Sequence, residues 1–338
     1  MTPRKVWQIF LKYIIPLIIS VGLCYLLFKG IDFKEMLAIV RDKCDFRWIA
    51  FAMVVSIFSH VFRALRWGIQ LRALGIRAPL YALVYSIFGT YAVNLVFPRL
   101  GEVWRTGYIA QRQDAPFATV FGSMVADRLA DTITVLLLAL ITFALASGAI
   151  LDFLHTNGEA YAAIGAILAS PWLWSAIAVG VAALWWFMTR KWTAGPFFKL
   201  QNALRELWAG FAVIVRMPGK AQWLLWTVAL WGCYFLQNYI TFFAFPFTRE
   251  VLADHGILAA LVTFVLSSIS MGVPSNGGIG PWQWAVIFAL GIYGVGATEA
   301  GAFANLVLGS QTLLLIALGI FTFAAIALDK KKKNPKIQ

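Results

Sequence analysis

Charge is what this chain has least of. Only 13% of its 338 residues are Asp, Glu, Lys or Arg, about half the share usual in a soluble domain. Too few polar side chains are present to cover a water-facing surface, so a soluble enzyme or binding module is excluded. Acidic residues are scarcer than basic ones, 15 against 28. Cys24, Cys44 and Cys233 form no even set and no CxxC pair, so neither a disulfide framework nor a metal site is implied. His60, His155 and His255 are scattered, without an HExxH arrangement. No Ser-His-Asp or Cys-His arrangement is readable. Gly277-Gly278-Ile279-Gly280 lacks the Lys-Ser/Thr of a phosphate loop and follows no strand. No catalytic residue, metal or cofactor is therefore expected, and the chain does not read as an enzyme. No linker rich in Pro, Ser or charge divides it, so residues 1–338 are expected to form a single membrane domain.

Apolar residues are abundant, at 61% of the chain. A spanning helix needs about 20 of them in succession. Candidates lie near residues 12–28, 47–67, 116–147, 171–189, 221–247 and 302–328. The first follows Arg4, Lys5 and Lys12 as a signal peptide would. Its apolar run ends in Lys29-Gly30-Ile31-Asp32, with no small-residue cleavage site, so it reads as an uncleaved span with a cytoplasmic N-terminus. Two further apolar stretches do not read as simple spans. Residues 80–97 run into Pro98-Arg99-Leu100-Gly101, and residues 257–296 are interrupted by Pro274, Gly277, Gly278, Gly280 and Pro281. Proline removes a backbone donor and glycine loosens the helix, so each cluster breaks a helix at membrane depth. Backbone opened there must be buried in protein or line a wet cavity. Both stretches are expected to be re-entrant helical hairpins. The expected fold is all-α and integral to the membrane: about six transmembrane helices plus two re-entrant hairpins, about eight apolar segments in all.

The net charge of +13 sits in loops beside apolar segments, where it sets topology and meets anionic lipid headgroups. Nucleic acid is not an expected partner. With the N-terminus inside, loop 29–47 lies outside with five basic and four acidic residues. Arg63, Arg66, Arg72 and Arg77 then count as inside charges. A re-entrant 80–112 delivers Arg105 and Arg112 to the same side. Loop 148–170, with Asp152, His155 and Glu159 but no Lys or Arg, lies outside. Arg190, Lys191, Lys199, Arg205, Arg216 and Lys220 lie inside, followed by an outside loop over Arg249–Asp254. The last span returns Lys330, Lys331, Lys332 and Lys333 to the cytoplasm. This assignment implies a multi-pass protein of the cell membrane with both termini cytoplasmic. Residues 196–213 carry apolar positions at helical spacing; an amphipathic helix on the inner leaflet and cytoplasmic packing both fit.

Each broken stretch carries Pro-x-x-Gly, at Pro98–Gly101 and Pro274–Gly277, and each precedes a spanning helix. One enters from inside and the other from outside. That is the pattern of an inverted repeat, with cores near 80–147 and 257–328, which places a transporter's binding site near the bilayer midplane. Two kinked helices with no transport role would carry the same pattern.

Polar groups concentrate between 94 and 131: Asn94, Arg99, Glu102, Arg105, Arg112, Asp127, Arg128 and Asp131. The last three lie inside an apolar span, with Asp114 before Pro116 as its helix start. Charges at that depth need a partner or a wet cavity. Arg128 and Asp131 are i,i+3 neighbours able to pair, and Asp127 calls for Arg99 or Arg105. Arginines there would grip a phosphate and carboxylates would balance them. Helix N-termini opened after Gly101 and Gly280 would add dipoles that favour anions. An ion-pair network that only docks a hairpin uses the same residues.

The pattern Asn94-x3-Pro98-Arg99-x-Gly101-Glu102-x2-Arg105, with Asp127-Arg128-x2-Asp131 and Val273-Pro274-x2-Gly277-Gly278-Ile279-Gly280, resembles the membrane domain of lysylphosphatidylglycerol synthase/flippases. The resemblance covers nearly the whole chain. It implies a lipid translocator and puts functional weight on Arg99, Glu102, Arg105, Asp127, Arg128, Asp131 and the 274–280 break. The aminoacyl-transferase domain of the two-part synthases is absent, and Gln283 stands where the resemblance leads one to expect an acid. Membrane lipids with anionic or zwitterionic headgroups are the expected partners, either phospholipid or polyprenyl-phosphate-linked. A lipid-modifying transferase or phosphatase and a small-solute carrier are the alternatives, and a homo-oligomer is left open.

Overall fold

A computed structural model describes residues 33–97, 99–156, 170–190, 201, 217–273, 275 and 277–333. The expected first span, Cys24, Pro98, Pro274 and all of 196–213 except Gln201 lie outside the described residues. Among those described, the chain forms eleven α-helices and one short 3-10 turn, with no strand. In chain order they are α1 (Phe33–Lys43), α2 (Phe46–Ala73), α3 (Leu80–Val96), α4 (Leu100–Arg112), α5 (Phe117–Thr156) and α6 (Pro171–Thr189). They continue with α7 (Lys220–Thr241), α8 (Pro246–His255), α9 (Ile257–Ser270), α10 (Pro281–Ile292) and α11 (Ala297–Lys333).

Local signals fix the boundaries. Asp45 accepts the Arg47 amide at 3.1 Å and starts α2. Gly75 at φ +80°, with Ile76 N–H bonding back to the Leu71 carbonyl, closes it. Pro246 and Pro281 open α8 and α10 from the first turn, where the missing donor is harmless. Asp114 corrects one expectation. It stands in the left-handed region at φ +49° between α4 and α5, so it turns the chain and does not cap α5.

Among the described residues, three helices are long and apolar enough to cross a membrane: Phe46–Ala73, Phe117–Gly148 and Ala297–Asp329. The outward residues of α5 and α11 include Leu136, Leu140, Leu313 and Ile320, all exposed. A continuous apolar exterior of this kind belongs against lipid tails. The expected span at 221–247 is broken near its end: α7 continues through the 3-10 turn Phe242–Ala244, and at Phe245 the chain bends by 117° into α8. The expected loop over 249–254 is therefore helical, as is much of the expected loop 29–47, which forms α1. Cys44, beside α1, is a free thiol pushed up to about 11 by burial and then by Asp45, so it is no thiolate.

Ion pairs fix which ends lie together. Glu299 at the start of α11 meets Lys43 at 3.7 Å, and Asp45 meets Arg249 at 3.8 Å. Asp329, about 45 Å further along α11 at 1.5 Å per residue, meets Arg112 at 2.6 Å. Helix α5 thus begins at the end of the molecule where α11 finishes. Between them α2 and α7 pack antiparallel.

Each broken stretch is an antiparallel helical hairpin. In α3–α4, Tyr81 and Arg112 bond at 2.7 Å at the open end, while Thr90 Oγ1 reaches the Gly101 carbonyl at 3.4 Å near the tip. In α9–α10 the open end brings His255 over Tyr293, with ring centroids 4.9 Å apart. The α3–α4 opening lies at the Asp329 end, and the α9–α10 opening lies towards the Glu299 end. Each hairpin is followed by a long helix, α5 after the first and α11 after the second.

The α3–α4 contact depends on Gly101. A Cβ there would lie 2.1 Å from the Thr90 carbonyl oxygen, which is backbone and cannot yield. Gly101→Ala is expected to cost about 1–3 kcal/mol by forcing the hairpin apart. Gly107→Ala, on the same helix with nothing within 4 Å, should be neutral or raise stability by up to about 1 kcal/mol. Thermal unfolding of both purified variants checks the contrast; equal shifts would remove the close-approach argument.

Candidate functional site

The two hairpin tips meet. Arg99 Nη2 donates to the Gly272 carbonyl at 2.9 Å, and a Cβ on Gly277 would strike the Leu95 side chain at 2.7 Å. Arg99 has φ +61°, a conformation costly for a residue with a Cβ. Opposite it, Gly277, Gly278 and Gly280 all have positive φ (+62°, +88° and +92°), a backbone path that glycine follows without penalty. Pro98 and Pro274 stand in these turns by sequence, outside the described residues.

At the first tip Asn94 works twice. Its Oδ1 accepts the Gly101 amide at 2.8 Å, and its Nδ2 donates to Glu102 Oε2 at 3.2 Å. Glu102 Oε1 in turn accepts from Arg128 Nη2 at 2.8 Å. At the second tip Gln283 Oε1 accepts the Gly280 amide at 2.9 Å, and its Nε2 donates to Asn305 on α11. These bonds correct the expectation of two open anion-binding helix ends. The amides of Gly101 and Gly280 are satisfied by side chains of the chain itself. Gln283 is a buried cap tied to α11, so it fastens the second hairpin to the helix that follows.

Behind the first tip lies a closed cluster of charge. Arg66 Nη2 donates to Asp127 Oδ1 at 2.6 Å and to Asp131 Oδ1 at 2.7 Å, while its Nε reaches Asp127 Oδ1 at 3.0 Å. Arg63 Nη1 donates to Asp131 Oδ2 at 2.7 Å and reaches Asp127 Oδ2 at 3.4 Å. Arg105 Nη2 lies 3.6 Å from Asp127 Oδ2, with its guanidinium stacked 4.2 Å over the Trp67 ring. Tyr234 meets Arg63 Nε at 3.4 Å and Tyr91 at 3.3 Å. Two guanidiniums thus each bridge two carboxylates one helical turn apart, Arg66 through Nε and Nη2 and Arg63 through Nη1 alone, in charge-assisted bonds.

Several expectations change here. Arg63 and Arg66 are not inside-loop charges. They lie within α2, 3% and 0% exposed, and hold α5. Asp127 pairs most closely with Arg66 and also, as expected, with Arg105 at 3.6 Å, whereas Arg99, at the tip of the first hairpin, turns to Gly272 of the second. The expected i,i+3 pair of Arg128 and Asp131 is present at 3.7 Å, and Arg128 also bonds Glu102. Trp67 is fully buried against Arg105. The sequence did carry a signal for α2. Ser56, Ser59, His60, Arg63, Arg66 and Gln70 recur at three- and four-residue intervals, one polar face of an apolar span, and all six are buried.

Exposure divides the site. The Asp127 and Arg66 side chains are 0% exposed, whereas Arg128 is 33% and Glu102 17% exposed. The closed end is built to hold helices together, and the open end faces the place where the tips meet. No group of three or more metal-ligating side chains occurs among the described residues.

The family described as the lysylphosphatidylglycerol synthase transmembrane region matches residues 13–319. A glycosyltransferase, AglD, of Haloferax volcanii is 32% identical over 106 residues, which make up 31% of this chain and 17% of that relative. No solved structure matches. With the family pattern running over nearly all of its length, and with helices fit to cross a bilayer repeatedly, this multi-pass membrane chain belongs to the lysylphosphatidylglycerol synthase transmembrane-region family.

Proposed function

We propose that the chain is a lipid translocator of the cell membrane that passes a polar headgroup across the bilayer between the two hairpin tips, and that it is no enzyme. One observation carries the reading. Two helical hairpins open at opposite ends and touch through Arg99 and Gly272, beside the half-open Arg128–Glu102 pair. Read as re-entrant elements of an inverted repeat, they offer an outer and an inner gate on either side of one charged point. The headgroup's phosphate would exchange onto Arg128 and Arg99, while Glu102 balances the charge or receives a cationic substituent. The lipid tails stay in the bilayer along the apolar exterior of α5 and α11. A cytoplasmic C-terminus is part of this reading, and it is supported by the basic residues Arg112 and Lys330–Lys333, which gather at the Asp329 end; the cytoplasmic N-terminus rests on the sequence alone.

The test is translocation of a fluorescent phospholipid in proteoliposomes. Arg99→Ala removes the bond between the tips and an exposed cation; it is expected to change the rate by tenfold or more while the unfolding temperature moves little. Wild-type rates in Arg99→Ala would sink the proposal. The glycosyltransferase relative favours a second reading, in which the lipid carries a sugar or is modified by this chain. Mass spectrometry of lipids incubated with pure protein separates the two, since a translocator leaves their masses unchanged.

A further inference from the structure

We propose that the closed end of the charged cluster holds a small inorganic anion of halide size against the guanidinium of Arg105. The charges of the cluster do not balance. Arg63, Arg66, Arg105 and Arg128 face Asp127, Asp131 and Glu102, which leaves one cation in excess. The excess falls on Arg105. Asp127 and Asp131 are engaged by Arg63 and Arg66 at 2.6–3.0 Å, and Glu102 is engaged by Arg128 and Asn94. Arg105 keeps only a 3.6 Å approach to Asp127. Its Nε, Nη1 and Nη2 are buried and donate no hydrogen bond among the described residues.

A buried guanidinium with all its donors idle is among the most expensive arrangements a protein interior can hold. Trp67 offers one face of its ring but no lone pair. The neighbouring groups on α2 share the deficit: Arg66 Nη1 and the Gln70 amide nitrogen are also buried without acceptors. These donors belong to Arg105 on α4 and to Arg66 and Gln70 on α2; the Gln70 amide oxygen is also buried without a partner, and Asp127 Oδ2 stands 3.6 Å from Arg105 Nη2, so the anion is assigned to the guanidinium edge turned away from Asp127.

Size selects the ligand class. Arg66, Trp67 and Arg105 are 0% exposed and Gln70 2%. Such a wall has no opening for the two organic substituents of a phosphodiester, so the proposed ligand is a monatomic anion. The ion would complete the coordination of Arg105 and so lock α4 of the first hairpin to α2 and α5. This inference is independent of whether lipid is translocated.

The test uses purified full-length protein at constant ionic strength. Replacing gluconate by chloride or bromide is expected to raise the unfolding temperature by about 5 °C at saturation. Arg105→Met should lose that dependence, while Arg112→Met, at the Asp329 end, should keep it. Equal unfolding temperatures in the two salts, or a dependence retained in full by Arg105→Met, overturn the proposal. Should Arg105→Met fail to fold, bromide-soaked crystals of the wild type decide. An anomalous peak in contact with Arg105 supports the site, and its absence there at saturating bromide overturns it.

Discussion

Replacing Asp127 by alanine is expected to lower stability by about 3–5 kcal/mol, enough to abolish a folded, monodisperse protein. Asp127 stands among Arg66, Arg63 and Arg105 at 2.6, 3.4 and 3.6 Å. Its removal leaves Asp131 alone against three guanidiniums in a region 0–3% exposed on the arginine side. Desolvated cations of one sign then face each other at low dielectric, where each unpaired ion costs several kcal/mol. The same carboxylates join α2 to α5, so the loss also parts two of the longest helices. Thermal unfolding with size-exclusion chromatography checks this, and a wild-type profile for Asp127→Ala would refute it. Asp45→Ala, which loses the cap of α2 and an exposed pair with Arg249 at 3.8 Å, should cost only about 1–2 kcal/mol in the same assay.

A companion substitution separates charge from volume. In Asp127→Leu combined with Arg66→Leu, two buried charges leave together and apolar side chains replace them. Such exchanges are often neutral or stabilising, so the double variant should recover much of the stability that Asp127→Leu alone loses. Translocation by the recovered protein would mark this pair as structural.

The two hairpins were legible because proline and glycine act locally. A missing donor at Pro98 or Pro281 and a bare backbone at Gly101 or Gly280 break a helix whatever surrounds them. The long helices α2, α5 and α11 were legible from apolar length alone. The partners of the charges were not. Positive-inside counting treats every arginine near the end of a span as a loop charge, and so it placed Arg63 and Arg66 in the cytoplasm. Their burial depends on Asp127 and Asp131, more than 60 residues away in sequence, and no local rule links the two. Periodicity on α2 would have found them, since its polar residues share one face. Helix α8 escaped for a different reason. The ten residues from Pro246 to His255 are too short and too polar to register as a span, and only the 117° turn reveals the end of α7.

The open pair supplies the decisive functional experiment. Glu102→Ala and Arg128→Ala are each expected to slow translocation at least tenfold with a stability cost of about 1 kcal/mol or less, because both side chains keep contact with solvent and their loss strands no fully buried ion. The reversed pair, Glu102→Arg with Arg128→Glu, tells docking from binding. If the bond at 2.8 Å only fastens α4 to α5, reversal restores both the bond and the transport. A headgroup that places its phosphate on Arg128 meets a carboxylate after reversal, and Asn94, whose amide donates to Glu102, meets a guanidinium with nothing to accept. Transport should then stay at the level of the single variants although the unfolding temperature returns to normal. Recovery of transport by the reversed pair would assign Glu102 and Arg128 to docking and move the search for the headgroup to Arg99. A stable protein that does not transport would place the headgroup where the hairpins meet.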